Sequence, residues 1–465
     1  MSEVTASCKL GKICGEELDG VMAFRGVPYA QDGGRFERCL PAEPWSGILD
    51  SRQLSPVFPQ ANRAISVNYR GELTEIPQAE DAFRLSIWTP DLNGALPVMF
   101  WIHGGGYTSG GCGFPCYDGS CIARNQNVVF VGVNYRLGVL GNLHIPGFCE
   151  DNLAILDLIE AFSWVRSNIE AFGGDPENIT IVGQSAGAAY ALSLAGQEKL
   201  AGEFSKLALL SIPGSQPLTP QDAGDLASAF MRHLKVDDPD QLRDKPLKKV
   251  IDAQHRAERE SKNFGVGFMP CTDGKTLGED MFAQASQVSG SKVPLLDGIT
   301  LQETAFFLLG MREKILTMES GQVLQLLGGF GCGNPRSTWD RLGEKYPEDD
   351  QFQRVVRATS ASLFHEAGDK VCSDFSTAYA YRMDYSSKVP WLGACHCIDL
   401  PFMFGDFENW ADDPMMQGSD FKEMTPISKS FQAGFGAFAR TGSPECDETG
   451  SWDRAGTNGF RKIFG

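Results

Sequence analysis

A serine between two glycines is the residue in this sequence that best fits covalent chemistry. Ser185 is the centre of Gly-Gln-Ser-Ala-Gly (residues 183–187), after an apolar run at residues 179–182 and before a helix-like stretch at residues 188–195. A sharp turn from a strand into a helix needs neighbours without bulk. It lifts the serine hydroxyl to the edge of a sheet, where the amino end of the helix favours negative charge. The pattern therefore indicates a nucleophile, although the short motif alone also occurs by chance.

A second glycine cluster could hold a negatively charged oxygen. Residues 103–107, His-Gly-Gly-Gly-Tyr, directly follow another apolar run. Acyl transfer creates an oxyanion, and backbone N–H groups that converge on one point stabilise it, each by about 2.7–4 kcal/mol. We assign this role to the amides of Gly105, Gly106 and Ala186. No Lys-Ser or Lys-Thr pair follows the glycines, so a Walker-type phosphate loop is not supported.

A serine nucleophile needs a base, and histidine is the usual one. Among the histidines after Ser185, His396 lies in Gly-Ala-Cys-His-Cys (residues 393–397), a predicted loop after a strand. Three others lie in charged or polar helical stretches, where a solvated histidine is the ordinary case: His233, His255 and His365. A histidine that only fills the core is the alternative for His396, but it would leave Ser185 without a base.

Two carboxylates could orient that imidazole. Asp297 ends an apolar run at residues 293–297, and Glu303 lies in the loop beyond it. An acid in this role fixes the tautomer of the histidine and stabilises the imidazolium ion. The residue types leave both candidates open, with a surface carboxylate as the ordinary interpretation of either.

The elements that must position these groups alternate between strands and helices. Near-continuous apolar runs indicate strands that are covered on both faces. These runs are residues 96–103, 128–134, 179–182, 206–211, 293–297 and 378–383. A helix is predicted over residues 152–172, with Asp151 as its cap and glycines at its end. The alternation predicts an α/β fold with a doubly wound, mostly parallel central sheet.

The rest of the chain is helical in pattern. Residues 218–290 and 305–370 are predicted to be helical insertions that form a lid or wall over the carboxyl edge of the sheet. No linker rich in proline or serine separates the pieces. We therefore predict a single domain over residues 1–465.

Composition excludes several classes of partner. The chain has 465 residues, 41 Lys and Arg against 59 Asp and Glu, and a net charge of −18. Nucleic acid is not expected as a partner, and neither is a membrane surface, because both favour clustered basic residues. The beginning of the sequence lacks the apolar segment of a signal peptide, so the 13 cysteines are expected to be mostly reduced thiols in a cytoplasmic protein. No paired C-x2-C spacing occurs, and no metal site is predicted.

Motifs along almost the whole chain resemble the type-B carboxylesterases, the cholinesterase-like family of the α/β-hydrolases. The matching segments are residues 24–30, 80–81, 86–90, 101–106, 134–138, 171–179, 183–188 and 440–442. The resemblance implies an α/β-hydrolase fold with a deep gorge. It also implies hydrolysis of small-molecule carboxylic esters without a metal or organic cofactor.

The resemblance also implies which residues act together. The family's catalytic histidine segment matches that of His396, and its catalytic glutamate matches Glu303 rather than Asp297. Ser185, Glu303 and His396 are thus the expected triad. Ser215 resembles a serine that supports this triad.

Substrate-binding residues are harder to derive. Three aromatic residues near the motifs could line the pocket, although such rings more often fill a core: Tyr107, Phe402 and Phe404. The sequence has no tryptophan between Trp45 and Trp88, where the family's choline-binding tryptophan is expected, so a choline-ester specialist is disfavoured.

Further departures from the family pattern concern the site itself. Gln184 stands where the family more often has glutamate, and Thr304 where it usually has glycine. Ala82 stands where secreted members have a cysteine, so their disulfide is not expected here.

Other activities stay open. The same triad serves amidases, lactonases and carbamate hydrolases, and a non-catalytic binding protein could use the same fold. The sequence does not indicate the number of subunits.

Overall fold

The computed structural model describes residues 2–61, 76–260, 267–455 and 459–465. Within them, twelve strands form one large sheet and two more form a small hairpin. The strands are β1 (Ser2–Cys8), β2 (Gly11–Leu18), β3 (Val21–Pro28), β4 (Ala30–Gln31), β5 (Leu40–Pro41), β6 (Ile48–Asp50), β7 (Arg84–Thr89), β8 (Leu96–Ile102), β9 (Val129–Val133), β10 (Gly174–Gln184), β11 (Lys206–Leu210), β12 (Leu295–Thr300), β13 (Ala378–Met383) and β14 (Lys462–Phe464).

The large sheet is mixed at one side and parallel across the rest. Its order is β1-β2-β3-β7-β9-β8-β10-β11-β12-β13-β14, with β6 beside β2. From β9 to β14 in this order each strand is parallel to the next, whereas β1, β2, β3, β7 and β9 pair antiparallel in succession. The predicted α/β class and mostly parallel sheet are confirmed.

Hydrophobic cores lie on both faces of this sheet. Side chains alternate between faces along a strand, and in β8 Phe100 and Ile102 belong to one buried cluster while Met99 and Trp101 belong to another. Every residue of β9, β11 and β12 is buried. Burial on both faces explains why these strands could be predicted from apolar runs without alternation.

The described segments also contain fifteen α-helices. They are α1 (Ser120–Gln126), α2 (Gly138–Asn142), α3 (Leu153–Asn168), α4 (Ala186–Ala195), α5 (Pro220–Leu234), α6 (Leu247–Glu260), α7 (Met281–Ser289), α8 (Ala305–Leu308), α9 (Arg312–Leu316), α10 (Ser320–Gly329), α11 (Pro335–Lys345), α12 (Gln351–Ser360), α13 (Glu366–Asp374), α14 (Leu400–Phe404) and α15 (Phe421–Thr441). No helix of the described segments is long and apolar enough to cross a membrane.

Helices α5 to α7 fall inside the predicted insertion at residues 218–290, and α8 to α13 lie largely inside the one at residues 305–370. The single-domain organisation stays a prediction. All 13 cysteines are unpaired.

The prediction that Asp151 caps the long helix is wrong. Helix α3 begins at Leu153, and the residue before it, Asn152, has φ 57° and makes no side-chain capping bond. Asp151 pairs instead with His144, and the Asn152 side chain bonds to Cys271. Contacts with His144 and Cys271 therefore take the place of a local helix cap.

Candidate active site

Ser185 lies on a strained turn between β10 and α4. Its backbone has φ 56° and ψ −125°, a conformation that residues other than glycine rarely adopt. Its N–H donates to the carbonyl of Leu210 at 2.8 Å. A Cβ on Gly183 would overlap the backbone of Gly187, and one on Gly187 would overlap the backbone of β8. The two glycines are therefore required by the close packing of this turn.

The glycine loop that follows β8 lies against that turn. A Cβ on Gly104 would be 2.8 Å from the carbonyl oxygen of Gln184 and 3.1 Å from Cβ of Ser185. Gly105 and Gly106 have φ values of 124° and 59°. Among the described residues, an added Cβ at Gly106 would meet nothing within 4 Å. The loop thus leaves open space at Gly106.

Three amides at this junction are free to bind an oxygen. Among the described residues, the N–H groups of Gly105, Gly106 and Ala186 donate to no other protein group. Ala186 is the first residue of α4, where the helix leaves its N–H groups unpaired. Unpaired donors beside an open space are what an oxyanion hole requires.

The neutral side chain of His103 supports the glycine loop. His103 Nδ1 lies 2.8 Å from the carbonyl oxygen of Gly104, and burial lowers the pKa of His103 to about 4. The hydroxyl of Tyr135 donates to the carbonyl of His103 at 2.6 Å. His103 is therefore uncharged at neutral pH and adds no positive charge beside the glycine loop.

Glu303 and His396 form a buried pair. His396 Nδ1 lies 2.6 Å from Oε2 of Glu303, and the two side chains are 2% and 0% exposed. The other oxygen of Glu303 accepts from the hydroxyl of Ser211 at 2.8 Å and from the N–H of Thr300 at 2.7 Å. Burial alone would raise the pKa of Glu303, but its hydrogen bonds to His396 and Thr300 outweigh burial and lower it. The carboxylate is therefore ionised beside the imidazole.

The remaining nitrogen of His396 faces the residue that precedes Ser185. Gln184 Nε2 lies 3.3 Å from His396 Nε2 and 3.0 Å from the Sγ of Cys397, while Oε1 of Gln184 has no hydrogen-bond partner in the described residues. No hydrogen bond joins Ser185 Oγ to His396 in that same part of the chain. Catalytic hydrogen bonds are often long or poorly aligned before substrate binds.

The rival acid has a different partner. Asp297 Oδ2 accepts from Arg461 at 2.7 Å, and both residues are nearly inaccessible. Of the two carboxylates that the sequence left open, the structure brings Glu303 to the imidazole.

The three remaining candidate histidines also have partners elsewhere. His233 pairs with Glu260, His255 with Glu258, and His365 Nε2 lies 2.9 Å from the carbonyl oxygen of Thr300. The expectation of a solvated surface histidine is wrong for His365, because its ring is withdrawn from solvent and contacts the backbone of Thr300. This burial lowers the pKa of His365.

Thr304 anchors the loop that carries Glu303. Its hydroxyl lies 2.6 Å from that of Thr359 and 3.1 Å from the carbonyl oxygen of Val356, both on α12. Its N–H donates to the hydroxyl of Ser360 at 3.1 Å. The residue that departs from the family's glycine therefore fixes the loop to a helix.

The predicted pocket residues separate into two groups. Tyr107 is buried next to the glycine loop, and the Ser215 hydroxyl interacts with its phenol. Phe402 and Phe404 are completely buried among other aromatic rings, including Tyr385 and Trp101. This placement favours the core alternative for both phenylalanines. Ser215 thus lies beside Tyr107, and its supporting role stays a prediction.

Sequence reasoning missed three residues at the site. Ser211 supports Glu303, and the rings of Phe307 and Phe364 lie 5.2 Å and 4.9 Å from the imidazole of His396. Phe364 belongs to a π-helical turn, Ala361–His365, of a kind that often marks functional sites. Ser211 directly follows β11, next to the turn that carries Ser185, and this position was the available signal.

This sheet, with a serine on a strained strand-to-helix turn, defines the chain as an α/β-hydrolase. The sequence profile of the carboxylesterase family matches residues 2–463, and the chain belongs to that family. The protein is accordingly a carboxylic ester hydrolase of the serine hydrolase type.

Relatives with known names share almost the full length. The chain is 32% identical to the para-nitrobenzyl esterase of Bacillus subtilis (strain 168), over 96% of this chain and 92% of the relative. It is 31% identical to the phenmedipham hydrolase of Pseudarthrobacter oxydans, over 93% and 89%. The carboxylesterase of Geobacillus stearothermophilus has the same fold, with a TM-score of 0.85 at 29% identity over 99% of this chain and 96% of that one.

Proposed function

We propose that Ser185, His396 and Glu303 are the catalytic triad of this esterase, acting on small-molecule esters through an acyl-enzyme. The observation that carries the proposal is the buried 2.6 Å contact between Glu303 and His396, whose other nitrogen faces the turn that holds Ser185. Because Glu303 accepts from Nδ1, the imidazole would carry its proton on that nitrogen, which leaves Nε2 as the nitrogen that takes the proton from Ser185.

In the first half of the reaction, Ser185 Oγ attacks the carbonyl carbon of the ester and His396 Nε2 takes the hydroxyl proton. The negative charge that develops on the carbonyl oxygen is held by the amides of Gly105, Gly106 and Ala186. The tetrahedral intermediate then expels the alcohol, which receives the proton from the imidazole.

In the second half, water attacks the acyl-enzyme by the same route and releases the acid. Each transfer requires His396 Nε2 to reach Ser185 Oγ, so the contact between Nε2 and the Gln184 amide must open first. Glu303 stabilises the imidazolium formed in both halves.

Aromatic rings support neutral, partly apolar esters as substrates. Phe307, 46% exposed, and Phe364 flank His396, and Tyr107 lies at the glycine loop. Gln184 carries no charge beside His396. The unpaired thiols support a reducing, cytoplasmic location.

The test is hydrolysis of p-nitrophenyl acetate by purified wild type and Ser185→Ala, combined with labelling by a fluorophosphonate probe. We expect the variant to lose about 10⁴-fold or more in kcat and to resist the probe. Ser193→Ala, on the same helix with its hydroxyl bonded to the Ala189 carbonyl, is the matched control and should keep both properties.

Full activity in Ser185→Ala would refute the assignment of the nucleophile. A wild-type protein that neither turns over esters nor reacts with the probe would support a non-catalytic role on this fold. Phenmedipham belongs in the substrate panel because one relative is named for its hydrolysis.

A further inference from the structure

Outside the proposed catalytic residues, a histidine, a carboxylate and a thiol lie together. His144 Nδ1 is 2.7 Å from Asp151 Oδ1, and one ligand atom from each of these two and from Cys271 lies within 4.8 Å of the others. Ligands of a tetrahedral zinc ion are roughly 3.5 Å apart, given bonds of about 2.0–2.3 Å. Small side-chain rotations would bring the three donors to that spacing.

The combination is specific to this place. In the part of the chain that the structure describes, no other group of three histidine, cysteine or acidic side chains is so close. His233 and Glu260 form a comparable pair at 2.8 Å, but no third donor among the described residues joins them.

The backbone that carries the thiol is fixed beside the carboxylate. The side chain of Asn152 accepts from the N–H of Cys271 and donates to its carbonyl, both at 2.9 Å. The residues on either side of Cys271 bond to Leu218, through the carbonyl of Pro270 and the N–H of Thr272. Because the backbone at Cys271 is held before any ion binds, little backbone freedom would be lost there on binding.

Charge and access also suit a cation. The side chains of His144 and Asp151 are 11% and 23% exposed, whereas Cys271 is buried. The carboxylates of Asp151 and Asp273 place negative charge beside Cys271. This negative potential attracts a positive ion, which can enter from the side of the partly exposed Asp151.

We propose that His144, Asp151 and Cys271 bind a thiophilic divalent cation, with Zn²⁺ as the preferred ion and water as its fourth ligand. The imidazole binds in its neutral form and the carboxylate through one oxygen. Cys271 binds as a thiolate, and its proton passes to solvent as the metal–sulfur bond forms. A thiolate ligand disfavours Mg²⁺ and Ca²⁺, which prefer oxygen donors.

Cys149 is the nearby thiol that the proposal leaves out. Its Sγ donates to the carbonyl of Leu143 at 3.6 Å rather than joining the three-donor group. The bound ion would connect the segment before α3 to the segment that carries Cys271, and so stabilise the folded chain by mass action.

The experiment titrates Zn²⁺ into the reduced, metal-free full chain by calorimetry, and Co²⁺ with detection of its thiolate charge-transfer absorption. Wild type should bind one equivalent tightly and gain thermal stability. Cys271→Ser, His144→Ala and Asp151→Asn should each weaken Zn²⁺ binding at least about tenfold, as the loss of a metal-site partner typically does. Cys271→Ser should also lose the cobalt–thiolate band.

Two control variants separate this site from binding by other thiols or histidines. Cys149→Ser and His233→Ala should bind Zn²⁺ as wild type does, and ester hydrolysis in every variant reports whether it is folded. The proposal is overturned if wild type does not bind one equivalent of Zn²⁺ tightly, or if Cys149→Ser weakens Zn²⁺ binding as much as Cys271→Ser. If Cys271→Ser does not fold, undiminished binding by His144→Ala overturns it equally.

Discussion

Both oxygens of Glu303 are occupied by hydrogen-bond donors, and two of these three donors lie outside the proposed triad. Its Oε2 contacts His396, and its Oε1 accepts from Ser211 and from the backbone of Thr300. A carboxylate that is held at two oxygens cannot rotate, so the imidazole bound to it keeps one orientation. Ser211 is therefore a positioning residue for the base.

Replacement of that serine tests this role. We expect Ser211→Ala to lower kcat roughly 10- to 100-fold, because a hydrogen bond to a charged group contributes about 1.5–3 kcal/mol. KM should change little, because Ser211 acts on Glu303 rather than on substrate. Steady-state hydrolysis of p-nitrophenyl acetate measures both constants.

Ser289→Ala is the matched control for Ser211→Ala. Ser289 is equally buried and its hydroxyl bonds to the carbonyl of Ala195, away from the triad. A loss of kcat common to both variants would show that a buried hydroxyl matters only for the fold, and the positioning role would be abandoned.

Two loops at the carboxyl ends of neighbouring strands make the site. The turn between β10 and α4 presents Ser185, and the loop after β8 presents the free amides. They touch where Gly104 meets the backbone of Gln184, with no space for a side chain. This contact sets the distance between nucleophile and oxyanion hole.

Gly104→Ala should therefore separate the two loops. The added methyl group would lie 2.8 Å from a backbone oxygen of Gln184, so the glycine loop must shift and its N–H groups leave their positions. Loss of one oxyanion donor typically costs about 10²–10³ in kcat, and we expect a decrease of that order. Ester hydrolysis and circular dichroism together distinguish lost activity from lost fold.

Gly224→Ala is the comparison for Gly104→Ala. Gly224 lies in α5, and an added Cβ would meet nothing within 4 Å. It should leave kcat unchanged and stabilise the helix slightly. Unchanged kcat in Gly104→Ala as well would contradict the proposed contact.

Elements were easier to predict than contacts between them. The strands at 206–211 and 378–383 could be read from their apolar runs because both faces are buried, and the structure places them at Lys206–Leu210 and Ala378–Met383. A run of apolar residues does not show which side chains contact each other between distant parts of the chain. Ser211 reaches Glu303 over 92 positions, and no local pattern announces that bond.

Aromatic side chains illustrate the same limit. Phe402 and Phe307 have equal hydrophobicity, yet one is fully buried and the other is 46% exposed beside His396. Motifs identified the glycine loop and the serine turn because their backbone geometry demands particular residue types. The residues that line a pocket are under no comparable backbone constraint, so no motif identifies them.

At the scale of the whole molecule, two buried carboxylates couple stability to pH. Burial raises the pKa values of Asp297 and Asp399 to about 6, against the lowering effects of Arg461 and Tyr381. A raised pKa means that the folded state binds the proton more tightly than the unfolded state. The resulting stabilisation is present below the unfolded value of about 3.9 and disappears as pH rises through about 6.

Asp399→Asn should remove one of these contributions. Asparagine keeps an oxygen for the Tyr381 hydroxyl, which donates to Asp399 at 2.6 Å, but it carries no charge at any pH. Relative to wild type, the variant should gain roughly 2 kcal/mol of unfolding free energy between about pH 4.5 and about pH 8. Urea unfolding at both pH values measures the gain.

The exposed Asp412→Asn is the control for solvent-accessible charge and should show little such gain. If the unfolding free energy of Asp399→Asn changes with pH just as that of wild type does, protonation of this carboxylate does not contribute to the pH dependence of stability.

The unpaired state of all 13 cysteines has a practical consequence for handling the protein. With no covalent cross-link to reform, the chain can be purified, melted and renatured in dithiothreitol without an oxidising step. Its melting temperature should be the same with and without that reductant. Storage in air is then the greater hazard, because every oxidised sulfur would be a departure from the native state.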